Sequence, residues 1–262
     1  MIEADYHVHT NFSIDSHAAM EEMIQAAIKS GVKELCFTDH VDFIYPNQIN
    51  YDIYIPYFER LKEKYEDSIM LRLGVEIGLG PFTNKENTKL INKYLFDFVI
   101  GSSHDIDGKD LYIGEYFKGK PKKQAYIHYF EEVLDNIKTY HAFSVYGHLD
   151  VIVRYGRYAN NDIDYNEYAL WIDEILKLLI QKDKGIELNT SGFRYGLGHT
   201  HPKADILKRY KELGGKIITV GSDAHRTADI ARDFQIAETI LKDIGFSEIC
   251  VFEKQKLNFV QI

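Results

Sequence analysis

A chain of 262 residues with 45 % apolar and 27 % charged side chains has ordinary globular usage, and can build a core without disulfides or a structural metal. Its 31 Lys and Arg against 40 Asp and Glu leave a formal charge of −9, which argues against partners held mainly by a phosphate backbone or an anionic membrane surface. Two cysteines, Cys36 and Cys250, are too few for a disulfide framework. The acidic start lacks the marks of a signal peptide, and no run reaches the ~20 apolar residues of a membrane span, so a cytoplasmic protein is expected.

Short β-rich runs alternate with helical patterns from end to end. The first run, Ile2 to Val8, closes in Asp5-Tyr6-His7-Val8-His9, and residues two apart on a strand point to one side, so His7 and His9 can clasp one ion. A helix pattern over Met20 to Ser30 follows, then the run Glu34 to Thr38, which leads into Asp39-His40. After a second helix pattern, Tyr54 to Glu66, the run Leu71 to Ile77 carries Glu76 in an otherwise apolar strand. An unpaired buried carboxylate is costly, so Glu76 needs a cation or strong donors.

The rhythm continues with a helix over Lys85 to Lys93 and a strand over Phe96 to Ser102 that runs into His104. A helix over Lys123 to Tyr140 precedes Phe143 to Tyr146, which ends at His148. A helix over Tyr165 to Asp183 leads to Gly185 to Leu188, and one over Lys203 to Leu213 to Lys216 to Val220. That last run feeds Gly221-Ser222-Asp223-Ala224-His225, a second i, i+2 pair. A helix over Ala228 to Ile244, a strand around Ile249 to Phe252 and a tail complete the chain. Ser30-Gly31, Lys184-Gly185, Leu213-Gly214-Gly215 and Ile244-Gly245 read as helix stops.

Seven β-then-α units over this length suggest a closed barrel or a doubly wound open sheet. With five prolines and no linker-like tract, a single domain over residues 1–262 is expected. Six of the seven runs end in His, Asp or Glu, and the carboxyl ends of parallel strands form the active-site face of such folds.

His7-x-His9, Thr38-Asp39-His40, Glu76, His104, His148 and Asp223-x-His225, in this order, resemble the polymerase and histidinol phosphatase (PHP) family. The opening Asp5 to Thr10, Phe12-Ser13-x-Asp15-Ser16 and the closing Gly221 to His225 are similar to its stand-alone histidinol-phosphate phosphatases. The resemblance implies a distorted (β/α)7 TIM-like barrel with three divalent ions at the strand carboxyl ends. Carried over residue by residue, His7, His9, Glu76 and Asp223 hold one ion. Glu76, bridging, with His104 and His148 holds the second, and Asp15, His40 and His225 hold the third. Asp15 stands where some relatives have histidine. The implied reaction is hydrolysis of L-histidinol phosphate, in histidine biosynthesis, by a metal-bridging hydroxide that attacks phosphorus in line. The donor set suits Zn, Mn or Fe without choosing among them.

Glu76, Asp15 and His40 are the catalytic candidates, and Asp15, His17, His40 and Asp42 all lie near enough in sequence to serve the leaving alkoxide. His17 and Asp42 are expected in the substrate pocket. Arg157 and Arg194, on loops flanked by glycines, are expected to grip the phosphate, with Arg226 as a third candidate. His199-Thr200-His201-Pro202 reads as a loop with a capping or surface role. His128 and His141 read as structural, and Trp171 as helix core. Two other functions fit the scaffold: a phosphodiesterase or exonuclease acting on nucleotides, which the charge disfavours, and a non-catalytic metal-binding regulatory domain, which the complete ligand set disfavours. Only a small phosphorylated substrate is expected as partner, with neither nucleic acid nor membrane.

Overall fold

The computed structural model describes residues 1–46 and 48–262. Seven parallel strands curl into a nearly closed barrel flanked by helices. In chain order the strands are β1 (Ala4–Val8), β2 (Glu34–Phe37), β3 (His40–Val41), β4 (Met70–Gly78), β5 (Phe98–Ser102), β6 (Asp105–Ile106), β7 (Lys109–Asp110), β8 (Val145–Tyr146), β9 (Gly185–Asn189), β10 (Ile218–Gly221), β11 (Glu248–Glu253) and β12 (Lys256–Gln261). The helices are α1 (Met20–Lys29), α2 (Tyr51–Lys64), α3 (Asn84–Lys93), α4 (Lys122–Thr139), α5 (Ile152–Tyr155), α6 (Tyr165–Gln181), α7 (Ser191–Arg194), α8 (Ala204–Glu212) and α9 (Phe234–Ile244).

The barrel order is β1-β2-β4-β5-β8-β9-β10. β3 continues the line of β2 after a break at Thr38-Asp39, since both pair in parallel with β4, Phe37 opposite Leu73 and His40 opposite Glu76. The ring approaches closure where Val8 bridges Ala224 and the His9 N–H donates to the Ala224 carbonyl at 2.9 Å. Barrel strands covered on both faces should be apolar throughout, and β1, β5, β9 and β10 are buried along their whole length. The outer helices need only one apolar stripe. In α1 that stripe is Met20, Met23, Ile24 and Ala27, the i, i+3, i+4, i+7 pattern of a helix facing a core.

The final helix starts at Phe234, later than expected, because residues 227–229 form a separate 3-10 turn. The expected tail is instead β12, paired antiparallel with β11 through a turn in which Lys254 and Gln255 both take positive φ. A second hairpin, β6–β7, turns at Asp107-Gly108 just past His104. Gly185 does not end α6; Asp183 takes the left-handed conformation there, and Gly185 lets β9 pass the Ile217 carbonyl, which a Cβ would strike. Among the described residues no helix is long and apolar enough to cross a membrane.

Candidate metal centre

Three carboxylates and six imidazoles from the strand carboxyl ends meet in one cluster, and Glu76 stands at its middle. Its side chain is fully buried, and its two oxygens face different partners. Oε2 lies 3.2 Å from His7 Nε2, 3.6 Å from His9 Nε2 and 2.9 Å from His40 Nδ1. Oε1 lies 2.9 Å from His148 Nε2 and 3.3 Å from His104 Nε2, and accepts from Ser102 Oγ at 2.6 Å. Asp223 Oδ1 closes the first group, 3.9 Å from His7 Nε2 and 3.7 Å from His9 Nε2. Asp15 Oδ2 lies 3.1 Å from His225 Nε2 and 3.6 Å from His40 Nε2. All nine expected ligands are brought together in one cluster, whose tightest sets also cross the expected groups, His9 standing with His40 and His225, and His40 with Asp42 and His104.

The imidazoles are held from behind. His7 Nδ1 pairs with Glu187 Oε1 at 2.6 Å, His9 Nδ1 with Ser13 Oγ at 3.1 Å, His104 Nδ1 with Asp42 at 2.9 and 3.1 Å, and His225 Nδ1 with the Asp223 carbonyl at 2.9 Å. Each of these partners accepts from Nδ1–H, which leaves the Nε2 lone pair for an ion in the centre. His7 Nε2, His9 Nε2, His225 Nε2 and Glu76 Oε2 are buried without a hydrogen-bonded partner. Buried polar atoms are seldom left so unless something else binds them. The donor set, its aim and its orphaned atoms fit divalent cations.

The electrostatics agree. Burial pushes the Glu76 carboxyl up, but His7, His40 and His104 outweigh it and hold the group well below the usual carboxylate range. Burial likewise opposes the charge of His7, His40 and His104, yet Glu187, Glu76, Asp15 and Asp42 raise all three well above the ordinary imidazole value. His9 goes the other way: burial and the neighbouring His225, His40 and His7 lower it. Without metal, the cluster is a lattice of carboxylates sharing protons with imidazoles.

His148 and Asp223 take positive φ (23° and 55°), a strained conformation for residues with a side chain. Buried carboxylates brace these turns. Asp5 accepts from Ser222 N–H at 2.9 Å, Ser222 Oγ at 2.6 Å and Ala231 N–H at 3.0 Å, and burial raises it to about 6. Asp39 accepts from Thr10, Ser13 and Tyr54, which fixes the loop that carries His9 and Asp15.

Of the expected substrate residues, His17 is exposed and lines, with Ser13, His40, Asp42 and Tyr45, a cavity of about 300 Å³ beside the cluster. Asp42 lines this cavity and also carries His104. Arg194 is nearly buried beneath the Asp223 turn, donating to the Ser222 carbonyl at 2.7 Å and to that of Asp223. Arg157 is exposed and donates to the Tyr112 carbonyl at 2.8 Å. Arg226 is exposed as well, its Nε 3.5 Å from Asp229.

Sequence reasoning passed over Arg154, whose guanidinium is 3.2 Å from Asp223 Oδ2, contacts Ser191 Oγ and lies 4.2 Å over the Tyr195 ring. It also passed over Glu187. Glu187 stands in Gly185-Ile186-Glu187-Leu188, a carboxylate in an apolar strand, the same signal that singled out Glu76. His201 is not a surface residue: it is fully buried, bridges to Asn189, and pairs with Asp150 at 2.5 Å. Trp171 is half-buried, its indole N–H donating to Glu131 at 3.3 Å.

The PHP domain family model matches residues 5–191. The histidinol-phosphatase of Lactococcus lactis subsp. lactis is 34 % identical over 267 residues, covering 98 % of this chain and 97 % of that protein. A Clostridium acetobutylicum protein named "Probable histidinol-phosphatase" is 35 % identical over 257 residues, covering 97 % and 98 %. The crystal structure of histidinol phosphate phosphatase from Lactococcus lactis, complexed with zinc, L-histidinol and phosphate, superposes with a TM-score of 0.90 at 33 % identity over 98 % of both chains. With the ligand cluster of the strand ends intact and the family model spanning most of the barrel, the chain belongs to the PHP domain family.

Proposed function

We propose that this chain is a metal-dependent phosphomonoesterase that hydrolyses L-histidinol phosphate to L-histidinol and phosphate, a step of histidine biosynthesis in the cytoplasm. The observation that carries the reading is the split of Glu76, one oxygen toward His7 and His9 and the other toward His104 and His148, in a chain matching histidinol-phosphatases along nearly its whole length.

Residues His7, His9, Glu76 and Asp223 would hold a first divalent ion, Glu76, His104 and His148 a second, and Asp15, His40 and His225 a third. Such ions supply a water acidified to near neutrality and neutralise the non-bridging phosphate oxygens. The protein's own part is placement and proton handling. Ser13 and Asp42 stand against Nδ1 of His9 and His104 and orient those rings. His17, His40 and Asp42 line the adjoining cavity and, with Asp15 beside His40, are the candidates to serve the leaving alkoxide. The volume of that cavity suits a leaving group the size of histidinol. Asp42 and Asp110, which accepts from the cavity-lining Tyr45 OH, favour a leaving group that carries an amine and an imidazole.

Arg157 and Arg194 would secure the phosphate, since the guanidinium fork donates two parallel bonds to phosphate oxygens. Arg157→Ala and Arg194→Ala are each expected to cost ~1 to 3 kcal/mol in kcat/KM with metal content unchanged. Values within about twofold of wild type would remove both from the phosphate site. Steady-state assays on histidinol phosphate, an aryl phosphate and an aryl phosphodiester, with and without chelator, test the function itself. The monoesters should be cleaved, histidinol phosphate with the highest kcat/KM, and only without chelator. Preference for the diester would favour the phosphodiesterase reading, and release from neither would favour a binding domain.

A further inference from the structure

The sixth barrel strand, β9, contributes no metal ligand, yet it sends a carboxylate into the cluster. We propose that Glu187 is a positioning residue that fixes the hydrogen of His7 on Nδ1 and thereby keeps Nε2 open to the first metal ion, while tying that ligand to the backbone of His148. The proposal rests on His7 being a ligand.

Each oxygen of Glu187 faces nitrogen, and a carboxylate can only accept. Oε1 is 2.6 Å from His7 Nδ1, and Oε2 accepts the His148 N–H at 2.9 Å and Asn189 Nδ2–H at 3.1 Å. The Asn189 amide is oriented by Ser191, whose N–H and O–H both donate to Asn189 Oδ1 at 2.9 and 2.5 Å. The donors on Oε2 are therefore fixed, one in the backbone and one by an oriented amide. Glu187 is 1 % exposed and His7 fully buried, so no bulk water can take over either bond. Room for the bracket is made by Gly221, where a Cβ would collide with both Glu187 Oε1 and His7 Cβ.

A glutamine of the same shape has one acceptor and one donor. Its oxygen must serve the two fixed donors, so its NH2 must face His7 Nδ1. Two donors cannot share that contact, and His7 relieves it only by shifting its hydrogen to Nε2, the atom aimed at Glu76 and Asp223. Alanine leaves the imidazole free to keep either tautomer, although it opens a hole in the barrel. A tautomer lock and a packing role thus order the two variants oppositely. If Glu187 only filled space, Glu187→Ala would be the more damaging; if it fixes the tautomer, Glu187→Gln is.

The test is titration of chelator-stripped protein with Zn2+ against a competing indicator, with thermal melting of each metal-free protein. Glu187→Gln should weaken one bound equivalent by about 10- to 100-fold, the usual cost of losing a ligand's outer partner, and melt close to wild type. Glu187→Ala should melt lower but lose less affinity, and His7→Ala should lose the same equivalent altogether. Wild-type affinity in Glu187→Gln, or weaker binding by Glu187→Ala than by Glu187→Gln, overturns the proposal while leaving the His7 assignment standing. Full metal content at wild-type affinity in His7→Ala overturns that assignment, and the proposal with it.

Discussion

Glu76→Ala is expected to lower turnover by at least ~100-fold and to release metal in the same preparation, the scale that loss of a metal-activated nucleophile carries. The geometry makes the two losses inseparable. Glu76 sits inside β4 with its side chain fully buried. Its removal leaves His7, His9, His40, His104 and His148 facing a cavity, several of them carrying protons that the carboxylate had balanced. Glu76→Gln keeps the volume but not the symmetry. Ser102 Oγ–H donates to Oε1 and would orient the amide oxygen there, which turns the amide nitrogen toward His7 and His9. The Gln variant should therefore keep its fold, hold the His104–His148 side better, and still lose at least ~100-fold in turnover. Metal analysis beside steady-state kinetics on the same samples checks this. Near wild-type turnover with full metal content in Glu76→Ala would end the shared-carboxylate reading.

Removing the metal should be equally severe, reversible, and dependent on pH with a definite sign. Chelation is expected to abolish phosphate release, and added Zn2+ or Mn2+ to restore it. His7, His40 and His104 have their pKa values raised well above the ordinary imidazole value in the metal-free cluster, so they hold protons near neutrality that a metal must displace. Protons and metal compete for the same lone pairs. Apparent metal affinity should then rise as the pH is raised from neutrality toward those raised values, and loading should acidify a weakly buffered solution. Affinity that is flat over this range, or loading without proton release, would contradict the proton-sharing network around Glu76. In the metal-free protein the same pairs stabilise the fold below the unfolded imidazole value, and that contribution fades as the pH rises through the raised values.

Most of the candidate ligands were legible as local signals, whereas Asp15 and the division into three groups came only from the family resemblance. His7-x-His9 and Asp223-x-His225 are fixed by the two-residue period of a strand end. Glu76 betrays itself as a charge in an apolar run, and His104 and His148 by following such runs. The seven βα units were legible for the same reason, since apolar periodicity needs only neighbours in the chain. Where the local signal was absent, the reading stopped: the β11–β12 turn uses Lys254 and Gln255 at positive φ, without the Gly or Asn that usually marks one.

What only the tertiary structure decided is which residues stand behind the ligands. Glu187 meets His7 across 180 positions, Ser222 meets Asp5 across 217, and Arg154 reaches Asp223 across 69. Their types were visible, but a carboxylate in β9 can face a ligand, a helix or solvent, and strand pairing and barrel closure choose among these. His201 illustrates the point: its loop composition read as surface, yet the Asn189–His201 bridge draws it inside to Asp150. The physical reason is that the sequence specifies donors and acceptors, whereas tautomer, exposure and effective charge depend on what each one meets once water is excluded. The chain alone therefore determined the identity and order of the candidate metal-binding side chains. Folding determined the division of Glu76 between two groups of imidazoles and the bracket that aims His7.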